Sequence, residues 1–548
     1  MGSLKQHSDA VHLFMSDLGS RVVAKSGIAS DKYHIGKLIL QSFKDAPDHI
    51  LQIDGATGES ETFQSALERT VRCATAFRAL GLKTNDVILV SGPNHIDLTI
   101  PMYAAFYLGI SVACMDPLLG MKEQQDAFQI CLPKLIFCQS EKKEEAKEAA
   151  KNLNLEVRIV TFDKGTNNCD FSYFLKKYGD NMPVEKFEAA NFEPEDTIAF
   201  LVSTSGTTGV PKCAALTHKN ISIGWPYFWI TSWKFPTPTE RALIVSPLQW
   251  ISATSSYVLS PILRFTRVQS SLPSTMEHMY FLINKYKPSF TMISPNTMTS
   301  LLKPGDRDKC DFSCFKIILL AGSAVQKTLL ETVQKVMPEV SAYNTYGLTE
   351  ATAVVFNPVY STLKSCGAPL GILQYRIQVT GQDIMEPNKP GELWVKGPIT
   401  FKGYYNNSKA TADMYTEDKW IKSGDIHYFD ENCKYYFVDR LKLLLKYRNH
   451  QISPIEIEST ILKHPGVLDV AVTGIADYEC GELPVACVVP HENYQLTAQE
   501  IKDMVKESLT DTKQLRGGVI FMKELPLTSS SKVNRNKLRE IVQNMKTE

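Results

Sequence analysis

The chain has 548 residues, which is more than one hydrophobic core usually organises, so we expect at least two domains. Its 59 Lys and Arg residues balance 59 Asp and Glu residues, which argues against nucleic acid or an anionic membrane as a partner and favours a small molecule. The 12 cysteines include no CxxC pair, and the closest two, Cys310 and Cys314, lack further ligands at zinc spacing, so we expect reduced thiols and a cytoplasmic location.

No targeting or transmembrane segment is predicted. The N-terminus has no continuous apolar stretch behind its first lysine, and Gln6 stands where a myristoylation signal has Ser or Thr. The last residues do not form a peroxisomal tripeptide, which makes a peroxisomal location less favoured than a cytoplasmic one. The longest apolar run, residues 98–115, contains Pro101 and Gly109 and is followed by Asp116. We interpret it as a buried helix that leads into a core strand.

Strand-like and helix-like segments alternate along the first part of the chain. The strand-like runs include residues 86–92, 198–204, 242–247 and 316–322, and the helix-like runs include residues 64–80 and 325–336. The sequence shows no repeat of fixed period, and no low-complexity tract separates its parts. The pattern predicts an α/β fold with a large N-terminal domain of layered α/β subdomains over residues 1–439.

A shorter module follows this part. It contains strand-like runs at 467–475 and 484–490 and helix candidates at 453–464 and 498–509. This mixture predicts a small α+β domain over residues 440–548, with the boundary between the two domains at Asp439 to Lys442.

The most informative segment is a loop rich in Ser, Thr and Gly, STSGTTGVPK, at residues 203–212. Glycines let backbone N–H groups approach an anion closely, hydroxyls donate hydrogen bonds to its oxygens, and Lys212 supplies positive charge. The loop is not a Walker A motif, which has lysine directly after its second glycine. A solvated Ser/Thr turn is the alternative, but the density of these residues after a predicted strand favours a triphosphate site. The candidate ligands are Ser203, Thr204, Ser205, Gly206, Thr207, Thr208, Gly209 and Lys212.

This loop resembles the phosphate-binding signature of the adenylate-forming superfamily, which includes acyl-CoA synthetases, coumarate-CoA ligases, peptide-synthetase adenylation domains and beetle luciferases. Further motifs follow in the superfamily's order, namely YGLTEA at 346–351, SGDI at 423–426, VDRLK at 438–442 and PLTSSSK at 526–532. The run QLRGGVIFMKELP at 514–526 is most similar to insect luciferases and their acyl-CoA synthetase relatives. The resemblance covers roughly residues 50–540 and implies that the small C-terminal domain is mobile.

The resemblance also implies nucleotide and metal ligands. Tyr346 would offer a flat face to adenine, Thr349 a hydroxyl to the α-phosphate, and Glu350 an oxygen ligand to Mg²⁺. Asp425 would accept both ribose hydroxyls, a role that suits an acceptor-only group. The remaining residues of the implied ATP- and AMP-binding set are Gly322, Ser323, Ala324, Gly347 and Arg440.

Lys532 resembles the superfamily's mobile catalytic lysine, whose charge stabilises the α-phosphate as acyl-adenylate forms. A solvated surface lysine is the alternative. Asp439 and Lys442 resemble the hinge about which the small domain rotates, and a second orientation would admit coenzyme A beside Lys446 and Asn449. The implied catalytic residues are Lys532, Thr349 and Glu350, and the implied cofactors are ATP, Mg²⁺ and coenzyme A.

Three glycines of the superfamily's pattern are replaced. Cys213 stands in place of the glycine of PKG, Asn449 in place of that of KYKG, and Ser531 directly before Lys532. A side chain at position 449 could crowd the path of the thiol partner, although Asn tolerates positive φ better than other residues. The thioester step is therefore less firmly implied than adenylation.

The segment that corresponds to the acyl pocket, SPLQWISATSS, differs most from the superfamily's pattern. Trp250 stands where relatives have histidine, Ile251 follows it, and Ala353 replaces a serine of beetle luciferases. These differences argue against good binding of luciferin, although core packing explains Trp250 equally well.

The favoured function is an ATP-dependent ligase that converts a carboxylic acid, most readily a fatty acid, to acyl-AMP and then to acyl-CoA. Two alternatives stay open. One is a luciferase-type monooxygenase that oxidises its adenylate with O₂, and the other is an adenylation-only paralogue that acts as a binding protein. We expect a monomer or a weak dimer.

Overall fold

The computed structural model describes residues 14–545 except 26, 30–31, 164–168, 205–211, 233–240, 449, 493 and 529–531, and it excludes the side chains of residues 230–232, 353 and 451. Its architecture is mixed α/β. Among the described residues, three sheets of five or seven strands lie in the large N-terminal part, and one sheet of five strands lies in the small C-terminal part. Within the described ranges, no helix combines the length and the apolar character that crossing a bilayer needs.

Sheet A has seven strands, and its neighbouring strands are parallel except at one edge, where the last pair is antiparallel. Its strands in spatial order are Ser341–Thr345, Ile317–Ala321, Phe290–Ile293, Arg241–Leu243, Thr266–Gln269, Ile50–Asp54 and Ser60–Thr62.

Sheet B also has seven strands, and its first two pairs are antiparallel whereas the others are parallel. Its strands in spatial order are Gly403–Tyr404, Lys212–Thr217, Ile198–Thr204, Ser111–Cys114, Val87–Val90, Leu135–Cys138 and Arg158–Thr161.

Sheet C is antiparallel and completes the N-terminal part, and sheet D lies in the C-terminal part. The strands of sheet C are Gln382–Asp383, Gln374–Val379, Gly391–Lys396, Ile421–Phe429 and Tyr435–Arg440. The strands of sheet D are His450–Ile452, Leu445–Tyr447, Gly481–Pro490 and Val467–Asp477, with Gly518–Phe521 added in parallel to Gly481–Pro490. Two short ladders pair Gly347–Leu348 with Ala353–Val354 and Phe356–Asn357 with Ala368–Pro369.

Helices cover the faces of these sheets. Those before sheet D are Ile35–Asp45, Phe63–Ala79, Ile100–Leu108, Met121–Cys131, Lys143–Asn152, Phe171–Tyr178, His218–Ser232, Ile251–Leu263, Met276–Tyr286, Pro295–Leu301, Lys327–Val336 and Ser408–Met414. Those of the C-terminal part are Pro454–Ile461, Ala498–Ser508 and Arg535–Asn544.

The apolar run at 98–115 forms the buried helix and the core strand that the sequence predicts. Every residue of the helix Ile100–Leu108 is buried, so a helix without a polar face is explained by its position inside the core. Gly109 ends it with φ of 68°, where a Cβ atom would lie 2.8 Å from the Phe192 ring. The strand Ser111–Cys114 follows directly.

The hydrophobic core is divided by the sheets, because successive strand residues point to opposite faces. In sheet A, Leu319 belongs to the largest cluster, which also contains residues of sheets B and C, whereas Ile318 and Leu320 belong to a separate cluster on the other face. All three side chains are fully buried. Sheet D has clusters of its own on both faces.

The C-terminal part docks on the N-terminal part beside the helix Lys327–Val336. The Ser459 hydroxyl donates a hydrogen bond of 2.9 Å to Gln326, the residue that precedes this helix. The chain passes from sheet C, which ends at Arg440, to sheet D, which begins at Leu445. The exact domain boundary at 439–442 stays a prediction.

Candidate active site

A cavity of about 1160 Å³ lies where sheets A, B and C meet the C-terminal part. The carboxyl ends of three strands open into it, and Thr204, Ala321 and Thr345 are the last residues of those strands. In α/β sheets, ligands bind in the crevice outside the carboxyl ends of the strands. The cavity is therefore the candidate active site.

The strand pair that flanks the Ser/Thr- and Gly-rich loop delivers both ends of that loop to the cavity. Ser203, Thr204 and Lys212 line the cavity, and Thr204 Oγ1 donates a hydrogen bond of 3.3 Å to the Lys212 carbonyl oxygen. Lys212 Nζ lies 5.1 Å from the centre of the Tyr404 ring. The predicted ligands Ser205, Gly206, Thr207, Thr208 and Gly209 lie outside the described residues.

Cys213, which stands in place of a glycine of the superfamily's pattern, is accommodated in the core. Its side chain is buried, and its Sγ lies 3.7 Å from Cys131 Sγ on a neighbouring helix. The replacement of glycine therefore adds a packing contact in the core, whereas Lys212 lines the cavity.

Thr349 and Glu350 begin a single 3₁₀ turn, Thr349–Ala351, and both line the cavity. The hydroxyl of Tyr404 donates a hydrogen bond of 2.6 Å to Glu350 Oε1. Burial, together with the Glu350 carboxylate, raises the pKa of Tyr404, so the phenol stays a donor. Sequence reasoning missed Tyr404, which lies 54 residues from Glu350 on a two-residue strand with no recognisable pattern.

Tyr346 packs its ring inside an aromatic cluster. The ring centre lies 4.4 Å from that of His427 in an edge-on arrangement, and the ring stacks on Phe437 at 6.1 Å. Its hydroxyl donates a hydrogen bond of 2.7 Å to Asp425 Oδ2. Burial, together with Asp425, raises the pKa of Tyr346. The geometry thus assigns Tyr346 a role in holding Asp425, and its role as an adenine-stacking surface stays a prediction.

Asp425 is a buried acceptor at the edge of the cavity, with 3% of its surface exposed. Its cross-strand neighbour is Arg440, whose Nε lies 3.3 Å from Asp425 Oδ1. Burial raises the pKa of Asp425, and the charge of Arg440 and the hydrogen bond from Tyr346 oppose this rise. A carboxylate held in this way presents its remaining lone pairs to a ligand with hydroxyl groups.

Lys532 enters the cavity from the C-terminal part. The Thr528 N–H donates a hydrogen bond of 2.7 Å to the Lys532 carbonyl oxygen, and Leu527 pairs with Val533, so the backbone of Lys532 is held by the described residues on both sides of 529–531. Its Cε lies 3.5 Å from the position that a Cβ atom on Gly322 would take. Burial and the neighbouring charge of Arg440 lower the pKa of Lys532 to about 8. Ser531 lies outside the described residues.

Trp250 and Ile251 form part of the apolar wall of the cavity. Trp250 is the N-cap residue of the helix Ile251–Leu263 and caps it without a side-chain hydrogen bond. The Trp250 indole N–H has no hydrogen-bond acceptor among the described residues. The cavity lining also includes the apolar residues Trp225, Leu259, Met292 and Val354. The Ala353 side chain is not described, so its predicted contact with the acid stays untested.

The predicted hinge residues differ in their surroundings. Asp439 is fully buried, and its Oδ2 accepts a hydrogen bond of 2.5 Å from Ser453. Burial raises the pKa of Asp439. Lys442 lines the cavity, whereas Lys446 is exposed on sheet D. Asn449, the other residue assigned to the coenzyme A face, lies outside the described residues.

The other predicted nucleotide contacts reach the cavity only in part. Gly322 and Gly347 line the cavity. Gly322 has φ of 98°, a conformation that favours glycine. Ser323 is exposed and Ala324 is half-buried in the turn that follows. Among the described residues, no group of three or more His, Cys, Asp or Glu side chains could hold a metal ion by itself.

Comparisons with known proteins agree with this geometry. The sequence model described as AMP-binding enzyme matches residues 40–405, and the model described as AMP-binding enzyme C-terminal domain matches residues 456–532. Luciferin 4-monooxygenase of Photuris pensylvanica is 32% identical, over 93% of this chain and 94% of that protein. The 4-coumarate–CoA ligase-like 6 of Arabidopsis thaliana is 27% identical, over 90% of this chain and 88% of that protein.

The fold is also similar to that of a solved CoA synthetase. The o-succinylbenzoate CoA synthetase of Bacillus subtilis, solved in complex with its acyl-adenylate intermediate, matches with a TM-score of 0.78 and 25% sequence identity. The match covers 92% of this chain and 97% of that one. The predicted fold class, a large N-terminal α/β part with a smaller C-terminal part, is confirmed.

Proposed function

Because the chain belongs to the AMP-binding enzyme family, as its motifs predicted, we propose that it uses ATP to convert a carboxylic acid to acyl-AMP and then transfers the acyl group to coenzyme A. One observation carries the proposal. Lys532 of the C-terminal part lies in the same cavity as Glu350 and the buried Asp425 of the N-terminal part. A cation, a metal-binding carboxylate and a hydroxyl acceptor are the groups that adenylation needs.

In the first half-reaction, a carboxylate oxygen of the acid attacks the α-phosphorus of ATP, and the bond to pyrophosphate breaks. The Lys532 ammonium stabilises the negative charge that builds up on the phosphorus oxygens, and Thr349 donates a hydrogen bond to the same phosphate. Asp425, held by Tyr346 and Arg440, accepts the ribose hydroxyls and fixes the nucleotide.

Glu350 is the residue that we assign to Mg²⁺. Its Oε1 accepts the hydrogen bond from Tyr404, and its Oε2 has no hydrogen bond in the described part of the chain, so one carboxylate oxygen is available to a metal. A single protein carboxylate fits Mg²⁺ bound to a nucleotide, because Mg²⁺ is usually held by one or two carboxylates together with phosphates and waters. The metal would neutralise phosphate charge when bound.

In the second half-reaction, the thiol sulfur of coenzyme A attacks the acyl carbon, and the bond to AMP breaks. We propose that the small domain, residues 440–548, rotates about Asp439 to Lys442 between the two half-reactions. This rotation withdraws Lys532 and brings Lys446 and Asn449 towards the thiol partner.

A fatty acid is the substrate class that we favour. The lining of the cavity includes Trp250, Leu259, Met292 and Val354, which offer apolar surface to an alkyl chain. We further propose that the enzyme acts in the cytoplasm as a monomer or a weak dimer.

A luciferase-type monooxygenase is the second candidate, because a luciferin 4-monooxygenase is 32% identical over nearly the whole chain. Trp250, Ile251 and Ala353 stand against it, because they replace the histidine, the small glycine and the serine of beetle luciferases. An adenylation-only protein is the third candidate and is motivated by Asn449 and Ser531.

The deciding experiment measures AMP formation by the purified protein with ATP, Mg²⁺ and a panel of short, medium, long and aromatic acids, with and without coenzyme A. We expect AMP formation that depends on both a fatty acid and coenzyme A. Acid-dependent AMP release that ignores coenzyme A would support the adenylation-only protein. Light emission with luciferin, ATP and O₂ would support the monooxygenase, and inactivity under all three conditions would refute the proposal.

A further inference from the structure

The Lys532 ammonium rests against an aromatic face. We call this contact site, which Trp250 and Gly322 form, the seat. Lys532 Nζ lies 5.8 Å from the centre of the Trp250 ring, within the range of a cation–π interaction. Gly322 forms another wall of this seat, because a Cβ atom there would lie 3.5 Å from Lys532 Cε. The two walls come from the N-terminal part, whereas the lysine comes from the C-terminal part.

The charged groups around Lys532 do not by themselves explain this position. Arg440 repels the ammonium and Asp425 attracts it, but Asp425 is already paired with Arg440 at 3.3 Å. Within the described ranges, no carboxylate lies at ion-pair distance from Lys532 Nζ. The negative face of the indole is the favourable contact that the seat offers to a cation.

The backbone holds Trp250 in place independently of this contact. Its carbonyl oxygen accepts hydrogen bonds of 3.0 Å from the N–H groups of both Ala253 and Thr254, which start the helix Ile251–Leu263. The Trp250 N–H donates to the Pro247 carbonyl oxygen at 3.1 Å. These backbone bonds survive a change of side chain, so the ring can be replaced without removing the start of the helix.

We propose that Trp250 is a positioning residue for acyl-adenylate formation, because its indole face holds the Lys532 ammonium in the orientation that reaches the reacting phosphate. This inference rests on the proposed function of Lys532. It gives the tryptophan, which stands where the superfamily has histidine, a role towards the catalytic lysine. The role should be confined to the half-reaction in which Lys532 occupies the cavity.

The test separates the two half-reactions with laurate as the acid. Trp250→Leu should lower kcat for laurate-dependent pyrophosphate exchange about tenfold, and Trp250→Phe, which keeps a ring face, about threefold, with KM for ATP unchanged. Thioester formation from lauroyl-AMP and coenzyme A should stay within about twofold of wild type in both variants, because Lys532 does not take part in that step.

Phe281→Leu is the matched control, because Phe281 makes an exposed cation–π contact of 5.2 Å with Lys285 outside the cavity. It should change neither half-reaction. If the two Trp250 variants slow both half-reactions equally, or change only KM for laurate, Trp250 serves packing or acid binding and the inference is wrong.

A second measurement does not need catalysis. In brief labelling of the full-length protein with acetic anhydride, acetylation of Lys532 should be several-fold faster in Trp250→Leu than in wild type, because the ammonium leaves its seat. Equal labelling rates would overturn the inference even if exchange falls. If Lys532 labels faster in Trp250→Leu than in wild type but wild type shows no acid-dependent exchange, the proposed function fails. The contact between Trp250 and Lys532 is then supported without it.

Discussion

The hydroxyl of Tyr404 donates a hydrogen bond of 2.6 Å to Oε1 of Glu350, and the ring of the same tyrosine lies 5.1 Å from Lys212 Nζ. One side chain therefore links the loop that we assign to the phosphates with the carboxylate that we assign to Mg²⁺. Because the hydroxyl and the ring contact different partners, the two contacts can be removed separately.

Tyr404→Phe should raise the apparent KM for Mg²⁺ about threefold to tenfold, because loss of one hydrogen bond of about 1 kcal/mol leaves Glu350 less well oriented while the ring stays beneath Lys212. The measurement is acid-dependent AMP formation across a Mg²⁺ titration. Tyr436→Phe, which removes a hydroxyl bound to Asp430 outside the cavity, is the control. Equal Mg²⁺ dependence in the two variants would count against this role of Tyr404.

Glu350→Gln should have a larger effect on the same titration, because it replaces the carboxylate ligand by a neutral amide. We expect turnover at saturating ATP to fall by at least tenfold and to recover in part at high Mg²⁺. The double variant with Tyr404→Phe should be no worse than Glu350→Gln alone, since the tyrosine acts through the carboxylate. Unaltered metal dependence in Glu350→Gln would refute the assignment.

Lys532→Ala should remove most of the acid-dependent pyrophosphate exchange, by about 100-fold or more, because a well-placed cation contributes about 3 kcal/mol to such a transition state. ATP binding, measured by equilibrium dialysis, should persist, since Asp425 and Glu350 remain. The fold should also persist, because the lysine side chain is not part of a core cluster. Exchange near the wild-type rate would refute the catalytic role of Lys532.

The pH dependence follows from the same residue. The pKa of Lys532 is lowered to about 8, so the ammonium form prevails below that pH and is lost above it. Pyrophosphate exchange should therefore decline as the pH rises through about 8. Lys532→Arg should lack this decline at a lower maximal rate, because a guanidinium stays protonated. An identical alkaline decline in both proteins would assign it to another group.

The sequence could predict elements whose signal is local. The apolar run at 98–115 predicts a buried helix and a core strand, because no polar face interrupts it, and both are present. The motifs around Glu350, Asp425 and Lys532 were recognisable because each combines unusual residue types within a few positions, and the structure brings all three to one cavity.

Contacts between distant segments could not be predicted in this way. Tyr404 lies 54 residues from Glu350 in the sequence, on a strand of only two residues. Such a strand is too short to show the alternating pattern from which strands are predicted. The contact between Tyr346 and Asp425 could not be predicted either. Its motif indicated an aromatic surface, but only the pairing of distant strands reveals the hydrogen bond between its hydroxyl and Asp425, which lies 79 residues away.

Trp250 and Ile251 should also set the choice of acid, because they form the apolar wall where relatives keep a histidine and a glycine. In wild type, flexible alkyl acids should be preferred over flat aromatic acids. The double variant Trp250→His with Ile251→Gly opens this wall and should shift the ratio of kcat/KM for aryl over alkyl acids by about tenfold to 100-fold. Absolute rates should fall as well if the ring also holds Lys532, but that loss is common to both acids and cancels in the ratio. Affinity for ATP should not change, because the strands that flank residues 205–211 belong to sheet B, whereas Trp250 and Ile251 lie at the start of a separate helix. A wild-type preference for aryl acids, or an unmoved ratio in the double variant, would leave Trp250 without a role in choosing the acid.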